Sequence, residues 1–429
     1  RRGPGGGELA RIPRRDVAAA LPDGGRGVPV LLETGLPDEE RFTVRVRVVV
    51  TARGGAGDGL HAVSQKQIFV HDDPDLARRH PRRVDGAGTA SPVFADLDGR
   101  RGDELILATD DGTIHAYGRN GRDIAGWPAR TPVAGWWPSG SPTAKADGIE
   151  PLGGQVGVGA PVVADLTGDG RPEVAVTTLE GDLWAWDSGG RLLPGFGPEA
   201  VDGVERSPAR VDPAFAPDDP AVQDPSSRLQ PAFAASPAAA DLDGDGDLEL
   251  VAAAMDRHVY AWHHDATPVD GFPVLVVDPA EVESIDPVSH HVTFRPDSGV
   301  EEGGGMVATP ALADLTGDGR PEIVIGAQEE YEEPINVGDG ASVLALLRVL
   351  ADSGNARLYA ISPDGTAAGG PDTSATHPPD QAYLPGWPAP LGMFMLGTLP
   401  TIGGGVSAQA AIGDVDPANP GPEVVAASA

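Results

Sequence analysis

Five copies of one short motif divide this chain and limit the folds it can adopt. Each copy is a run of small and apolar residues, then Ala or Gly, Asp, and Leu or Val, before a loop rich in glycine and aspartate. The copies are SPVFADLDG at Ser91–Gly99, APVVADLTG at Ala160–Gly168, SPAAADLDG at Ser236–Gly244, TPALADLTG at Thr309–Gly317 and AQAAIGDVD at Ala408–Asp416. Their lead aspartates are Asp96, Asp165, Asp241, Asp314 and Asp414, which lie 69, 76, 73 and 100 residues apart. Such repetition indicates one supersecondary unit used several times.

Each unit has the pattern of four short strands joined by tight turns. In the first unit the strands are Pro92–Leu97, Glu104–Thr109, Thr113–Tyr117 and a last one ending at Gly126-Trp127-Pro128. A four-stranded unit that repeats as a whole is typical of a propeller blade rather than of a sandwich. The sequence therefore predicts an all-β fold, a β-propeller of four-stranded blades, with four complete units and one partial unit.

Aromatic residues recur at matching points of the four complete units. The pairs are Tyr117/Trp127, Trp186/Phe196, Trp262/Phe272 and Tyr359/Trp387. We expect them to pack between neighbouring blades, because large aromatic side chains mostly serve cores. Stacking on a carbohydrate is the alternative.

The pattern divides the chain into successive segments. Residues 1–41, rich in Gly, Pro and Arg, are expected to be a linker or an incomplete N-terminal region. Residues 42–74 hold two strands, Phe42–Thr51 and Ala62–His71, which predict a hairpin of a β-sandwich-like module of immunoglobulin or fibronectin type. A linker is expected at 75–89 and the propeller at 90–429, with blades near 90–128, 159–197, 235–273 and 308–388 and a partial blade at 408–429. Since the chain starts without Met and stops within a unit, we expect it to be a piece of a longer protein.

Composition excludes several classes of function. Asp and Glu number 64 against 31 Lys and Arg, a formal net charge of −33. That charge repels nucleic acid and anionic membranes, and it suits a protein that collects divalent cations. The chain has no cysteine, which excludes disulfides and thiolate metal sites. No stretch approaches the roughly 20 apolar residues of a spanning helix, so we expect no membrane insertion.

The third acidic loop, DLDGDGDLE at Asp241–Glu249, has the composition of a cation site. Carboxylates occupy its first, third, fifth and ninth positions, which are Asp241, Asp243, Asp245 and Glu249. Alternate positions of a tight loop, bent at glycines, are expected to point to one centre, with the backbone carbonyl of Asp247 as a further ligand. Hard oxygen ligands of this kind suit Ca²⁺. We expect no histidine near the loop, which argues against zinc.

The other four loops are weaker versions of the same site. The second and fourth replace one carboxylate by a threonine hydroxyl. The candidate ligands are Asp165, Thr167, Asp169, Arg171 and Glu173 in the second loop, and Asp314, Thr316, Asp318, Arg320 and Glu322 in the fourth, with the arginines offering backbone carbonyls. The first loop keeps Asp96, Asp98 and Glu104 but has Arg100 at its fifth position. The fifth is one residue longer, with Asp414, Asp416, Asn419 and Glu423 as candidates.

Two other structures are compatible with loops of this composition. An EF-hand is rejected, because its loop needs about 12 residues between helices, whereas here both flanks are β-type. Plain Asx and Gly turns without metal are the alternative. The recurrence of the loop at one strand junction favours the metal.

The small-residue strand, the ADLDGDG loop and a DG turn leading to an Ala-Trp pair resemble the FG-GAP/VCBS repeat family, as in integrin α-subunit propellers and many bacterial secreted proteins. The resemblance covers residues 88–429 and is most specific in the third copy. It implies a seven- or eight-bladed propeller with Ca²⁺ between the first two strands of a blade. It also implies an extracellular, secreted or cell-surface module, non-catalytic, that binds a protein or carbohydrate ligand in adhesion or as a scaffold.

A second resemblance concerns Phe42–Thr51 and Ile68–Pro74, which are similar to the region after the catalytic domain of some large secreted subtilisin-like serine peptidases. It implies an accessory C-terminal region of such an enzyme. A propeller that supports a polysaccharide lyase or hydrolase is a further alternative. The chain has no Gly-x-Ser-x-Gly motif and no phosphate-binding Gly-Lys loop, so no catalytic residue is assigned.

Long insertions separate the units, at 129–158, 197–234, 274–307 and 327–355, and segments of this length are often functional. Two features within or near them are expected to be solvated. The histidine pairs His263-His264 and His290-His291 are poor chelators, because adjacent strand residues face opposite sides. The acidic run Glu329, Glu330, Glu332 and Glu333 is expected to be an exposed face.

Overall fold

The computed structural model describes residues 43–51, 61–69, 84, 91–100, 102–132, 155–201, 204–215, 232–298, 300, 304–331, 333, 352–366, 382–395, 405–416, 418 and 420–428. Contacts divide the chain into two compact units, Arg1–Pro81 and Arg82–Ala429. The described part of the chain is all-β, as predicted, and no α-helix occurs in it. Nothing there has the length and apolar character of a helix that crosses a bilayer.

In the part of the first unit that the structure describes, the chain forms one hairpin. Strands β1 (Thr43–Thr51) and β2 (His61–Phe69) pair antiparallel over nine residues, from Thr43↔Phe69 to Thr51↔His61. Its place in a β-sandwich stays a prediction. The expected linker at 1–41, and that at 75–89 apart from Val84, lie outside the described residues.

The second unit is a series of antiparallel sheets that follow one another along the chain. The first sheet has β3 (Val93–Ala95), β4 (Glu104–Ala108), β5 (Thr113–Tyr117) and β6 (Ala129–Arg130). The second has β7 (Gly157–Ala164), β8 (Glu173–Thr178) and β9 (Leu183–Trp186) and is followed by a hairpin of β10 (Glu199–Val201) and β11 (Val204–Arg206). The third has β12 (Ala238–Ala240), β13 (Glu249–Ala253), β14 (His258–Trp262) and β15 (Val274–Leu275) and is followed by a hairpin of β16 (Val282–Ile285) and β17 (Val292–Phe294). The fourth has β18 (Ala311–Ala313), β19 (Glu322–Gly326), β20 (Asp352–Ile361) and β21 (Ala389–Met395), and β22 (Ala411–Gly413) and β23 (Glu423–Val425) form a fifth, two-stranded sheet.

These sheets are the blades of a propeller-type array. The first strands of successive sheets contact one another, in the order β3, β7, β12, β18 and β22. Each sheet therefore starts near a common line and extends outwards strand by strand, as propeller blades do. Closure of the array into a seven- or eight-bladed ring stays a prediction.

The core lies in layers between neighbouring blades. Val251 and Val259 of the third blade, for example, pack in one cluster with Ile323 and Ile325 of the fourth. Since both faces of the third blade are covered in this way, its middle strands β13 and β14 are buried throughout rather than in alternation. Strand β13, ELVAA, is buried at all five positions.

The recurring aromatic residues lie in these layers, which agrees with the packing interpretation. Seven of the eight are buried, and Trp387 is half-buried. The indole N–H of Trp127 also donates to the carbonyl of Ser188 in the next blade, at 3.0 Å.

The end of each blade differs from the expectation. We expected the last strand of the first blade to end at Gly126-Trp127-Pro128, but the chain turns there and β6 follows it. Gly126 has φ +94° and lies so close to the Gly189 carbonyl of the second blade that a Cβ would sit 1.9 Å from that oxygen. The glycine is required by this close approach.

Candidate metal centre

The acidic loops connect the first and second strands of each blade. In the third blade the loop runs from β12 to β13, and Gly244 and Gly246 have φ of +82° and +100°. This left-handed backbone is accessible to glycine at little cost, and it folds the loop back within a few residues. The sequence positions of the aspartates therefore become neighbours in space.

The glutamate at the end of each loop, at the ninth position in the first four copies and at the tenth in the fifth, holds the loop closed. Its Oε2 accepts a hydrogen bond from the backbone N–H at the second position in all five copies. The pairs are Glu104 with Leu97 (3.0 Å), Glu173 with Leu166 (2.8 Å), Glu249 with Leu242 (2.6 Å), Glu322 with Leu315 (2.6 Å) and Glu423 with Val415 (2.8 Å). One oxygen of each glutamate is thus already engaged within the loop.

The third loop brings most carboxylates together. Single oxygens of Asp241, Asp243 and Asp245 lie within 4.8 Å of one another, and a second group of the same spread joins Asp245, Asp247 and Glu249. We expected Glu249 to share one centre with Asp241 and the backbone of Asp247 to serve as ligand. The structure groups one oxygen of Glu249 with the side chains of Asp245 and Asp247, and also with those of Asp243 and His263. A single centre shared by Glu249 and Asp241 stays a prediction.

Electrostatics make this loop receptive to a cation. Burial raises the pKa of Glu249 to about 7, and the nearby charge of Asp243 adds to the rise. Burial also raises the pKa of Asp247. The pKa of Asp245 is lowered because it accepts a hydrogen bond from the Asp247 backbone N–H. Negative charge is therefore crowded and, around Glu249, poorly solvated, and a bound cation would relieve both penalties.

The first loop retains more of the site than its sequence suggested. Oxygens of Asp96, Asp98 and Glu104 lie within 4.8 Å of one another. Arg100, at the fifth position, approaches Asp98 to 3.4 Å. The first loop thus has a cationic side chain at the sequence position where the third loop has Asp245.

The second loop leaves one oxygen without a protein partner. Asp165 Oδ2 accepts from the Gly170 N–H at 2.8 Å, whereas its buried Oδ1 has no hydrogen bond within the described structure. Asp169 accepts from the Arg171 N–H at 2.9 Å. The Thr167 N–H lies 3.3 Å from Glu173.

The fourth loop is held mainly by its own backbone. Asp314 accepts from three N–H groups, those of Gly317 (2.6 Å), Asp318 (3.2 Å) and Gly319 (2.9 Å). These bonds lower the pKa of Asp314, that from Gly319 most of all. The Thr316 hydroxyl donates to Glu322 at 3.2 Å. The Asp318 carboxylate accepts from the Arg320 N–H at 2.9 Å.

In the fifth loop, Asp414 follows β22, and Asp416 accepts from the Ala418 N–H at 2.9 Å. The further candidate Asn419 lies outside the described residues.

The expectation that no histidine lies near the third loop is wrong. His263 Nδ1 is 3.2 Å from Glu249 Oε1, and His264 Nδ1 is 2.7 Å from Asp247 Oδ2. A signal for this was present in the sequence. Leu250 pairs with Trp262 across β13 and β14, so the residues just outside that pair, Glu249 and His263, face each other.

The second histidine pair is also not simply solvated. His290 Nδ1 lies 2.8 Å from His258 Nε2, and the Phe215 ring stacks on both imidazoles. Burial lowers the pKa of His290, and the neighbouring His258 lowers it further. This cluster fixes the β16–β17 hairpin against the third blade.

The acidic run after β19 is not an exposed face. Glu329 is fully buried and pairs with Arg257 at 2.9 Å, and Glu330 is 5% exposed. Glu333 Oε1 accepts from Arg357 at 2.6 Å. Glu332 lies outside the described residues. These ion pairs join residues that are far apart in sequence, so local sequence patterns could not predict them.

Comparison with known proteins supports the repeat assignment. Residues 306–344, which include the fourth loop, match the family model described as the FG-GAP repeat. The resemblance predicted from the sequence is confirmed there. No curated protein matches the chain.

Several solved structures are similar in part. The C-terminal domain of Pseudomonas aeruginosa PilY1 is 12% identical, with 85% of this chain and 74% of that chain covered and a TM-score of 0.35. BBS1N in complex with ARL6DN is 11% identical, with coverages of 71% and 82% and a TM-score of 0.28. BamB from Moraxella catarrhalis is 12% identical, with coverages of 66% and 83% and a TM-score of 0.22. At these TM-scores the likeness is partial, and the architecture rests on the sheets of this chain itself.

Proposed function

We propose that this FG-GAP propeller chain binds Ca²⁺ in its acidic loops and serves as a non-catalytic, extracellular binding or scaffold module. The observation that carries the proposal is the third loop, where three aspartate oxygens lie within 4.8 Å of one another beside a fully buried glutamate. Oxygen ligands on a flexible loop are the set that Ca²⁺ prefers.

The role of the ion would be structural. Each loop joins the innermost strand of a blade to the next strand, and its carboxylates repel one another. A divalent cation would neutralise that repulsion and hold the two strands together, so that binding energy becomes folding energy. The buried, unpartnered Oδ1 of Asp165 gives the second loop a similar need.

The ligand of the whole module is proposed to be a protein or a carbohydrate. The hairpins β10–β11 and β16–β17 stand in two of the long insertions, outside the regular blades. Segments outside the regular blades of a rigid scaffold are where binding surfaces commonly form. A net charge of −33 disfavours nucleic acid and anionic membranes as partners.

Calorimetric titration of the full chain with Ca²⁺, after chelation and desalting, tests the proposal. We expect binding heat and a higher thermal midpoint with Ca²⁺ than with chelator. The variant Asp241→Asn should lower the calcium-dependent gain, whereas Asp286→Asn, in an acidic turn away from the blade loops, should keep it. Absence of heat together with an unchanged midpoint would refute calcium binding.

A further inference from the structure

The third blade differs from the others in having an imidazole against its loop glutamate. His263 directly follows the strand β14, and its Nδ1 lies 3.2 Å from Glu249 Oε1. The corresponding residues after the third strands of the other blades are Gly118, Asp187 and Ser362. Among these four described positions, only the third blade supplies a nitrogen ligand.

We propose that His263, Glu249 and Asp243 form a second metal site, distinct from the all-oxygen site and selective for a borderline ion such as Zn²⁺ or Co²⁺. One ligand atom from each of the three residues lies within 4.8 Å of the other two. The group shares Asp243 with the oxygen cluster, but it does not depend on calcium binding elsewhere in the loop.

The donor chemistry separates the two sites. Ca²⁺ is bound by oxygen, whereas imidazole nitrogen suits Zn²⁺, Co²⁺, Ni²⁺ and Cu²⁺. Two carboxylates with one histidine resemble the mixed nitrogen and oxygen sets that hold zinc through three protein ligands. The ligand set that includes His263 therefore favours Zn²⁺ or Co²⁺ over Ca²⁺.

The spacing also suits such an ion. Metal–ligand bonds of about 2.0–2.2 Å place neighbouring ligands of a tetrahedron about 3.3–3.6 Å apart. The 3.2 Å separation of His263 Nδ1 and Glu249 Oε1 is close to that edge. One oxygen of Asp243 lies within 4.8 Å of a ligand atom of each of these two residues, so a bound ion would draw that side chain inwards.

Both ends of this ligand pair are already fixed by the fold. Glu249 is fully buried, and its Oε2 accepts from the Leu242 N–H at 2.6 Å, which leaves Oε1 facing the histidine. The backbone N–H of His263 donates to the Thr267 carbonyl at 2.9 Å. Partners of this kind orient ligands before the metal arrives.

The site has an open side. Asp243 and His263 line a cavity of about 320 Å³ between the third and fourth blades, which Arg320 and Asp364 also line. Arg320 is held there by bonds to the Leu242 carbonyl (2.7 Å) and to Asp364 (2.5 Å). The cavity gives the ion an entry path and space for water as a fourth ligand.

Titration of the chelator-stripped full chain with Co²⁺, followed by visible absorption, tests the site. We expect one equivalent to give the intense bands of a tetrahedral ion, and Zn²⁺ to abolish them. His263→Ser, which installs the residue of the fourth blade, should weaken Co²⁺ binding by about 100-fold or more, since losing even an outer partner costs about 10–100-fold. His264→Ser is the matched control and should keep the bands, because that histidine contacts Asp247 instead.

Each outcome is decisive. Tetrahedral bands that survive in His263→Ser, or a six-coordinate spectrum in the unchanged chain, would show that His263 and Glu249 form only a hydrogen-bonded ion pair. Calcium calorimetry on His263→Ser separates the two proposals, because its calcium heat should be retained. Loss of calcium binding alone, with His263-dependent Co²⁺ bands intact, would overturn the proposed function and leave the mixed site standing.

Discussion

The third and fourth acidic loops connect the same two strands of their blades, but their carboxylates are stabilised differently. The third loop has five carboxylates in nine residues, and burial raises the pKa of its Glu249 to about 7. The fourth loop has three, and its lead residue Asp314 accepts three backbone N–H bonds that lower its pKa. The same loop shape can therefore be stabilised internally by backbone dipoles, or it can require a cation from outside.

The position-seven residues reinforce this difference. Asp247 adds negative charge to the third loop. Arg320, at the same position of the fourth loop, is positively charged and donates hydrogen bonds to the Leu242 carbonyl and to the Asp364 carboxylate. Arg320 thereby also ties the fourth loop to the third blade.

The largest effects should come from the glutamate that both loops share. Glu249→Ala and Glu322→Ala each leave a buried or half-buried backbone N–H without its acceptor, which costs about 1–3 kcal/mol. Urea unfolding with chelator present should show a loss of this size for both variants. The matched change Glu322→Gln keeps an acceptor and should cost less than Glu322→Ala; an equal cost would mean that the hydrogen bond to Leu315 is not what closes the loop.

A pH series without divalent cations should sharpen the contrast at Glu249. Its pKa rises from 4.5 to about 7 on folding, so the unfolded chain releases the proton first as pH increases. The stability that this residue contributes is therefore fully present below about pH 4.5 and is lost as the pH rises to about 7. The free energy of unfolding should fall by about 1–3 kcal/mol over this range. Calcium should flatten the curve, because a cation favours the charged form.

Glu249→Gln is the control for that series. This substitution should remove the loss of stability with rising pH that Glu249 causes. It should leave the loss caused by Asp182 and Glu180, because burial raises their pKa values to about 6 and about 7, respectively. A wild-type curve that the substitution does not change would contradict the assignment to Glu249.

The smallest expected effect comes from the lead aspartates, Asp241 and Asp314, and it tests the difference between the third and fourth loops directly. Asp314→Ala should lower the thermal midpoint by a few degrees with chelator present, since its hydrogen bonds do not need the ion, and the loss should grow little when calcium is added. Asp241 accepts the Gly244 N–H within the described structure, and Asp241→Ala should cost much more with calcium than without it. Differential scanning calorimetry in both conditions measures this, and identical behaviour of the two variants would erase the distinction between the loops.

Much of the fold followed from local patterns, while parts of the site did not. The repeated motif predicted the blades and the loop between their first two strands. This was possible because the alternate acidic positions and the glycines that bend the loop lie within a few residues of one another. The same reasoning missed that Glu249 faces His263, although strand register could have revealed it. It also placed the fourth strand before Gly126-Trp127-Pro128, since a β signal of two residues is too short to detect.

The repeating β-unit, the excess of negative charge and the oxygen-rich loops can all be read from the amino-acid sequence, because each depends on composition or on residues close together along the chain. Which charges lose contact with water, and which partners they meet, depends on how the chain folds. The pairing of Arg257 with Glu329, 72 residues apart, depends on how neighbouring blades pack. Desolvation and short-range electrostatics act on such neighbours in space, and sequence order does not reveal them.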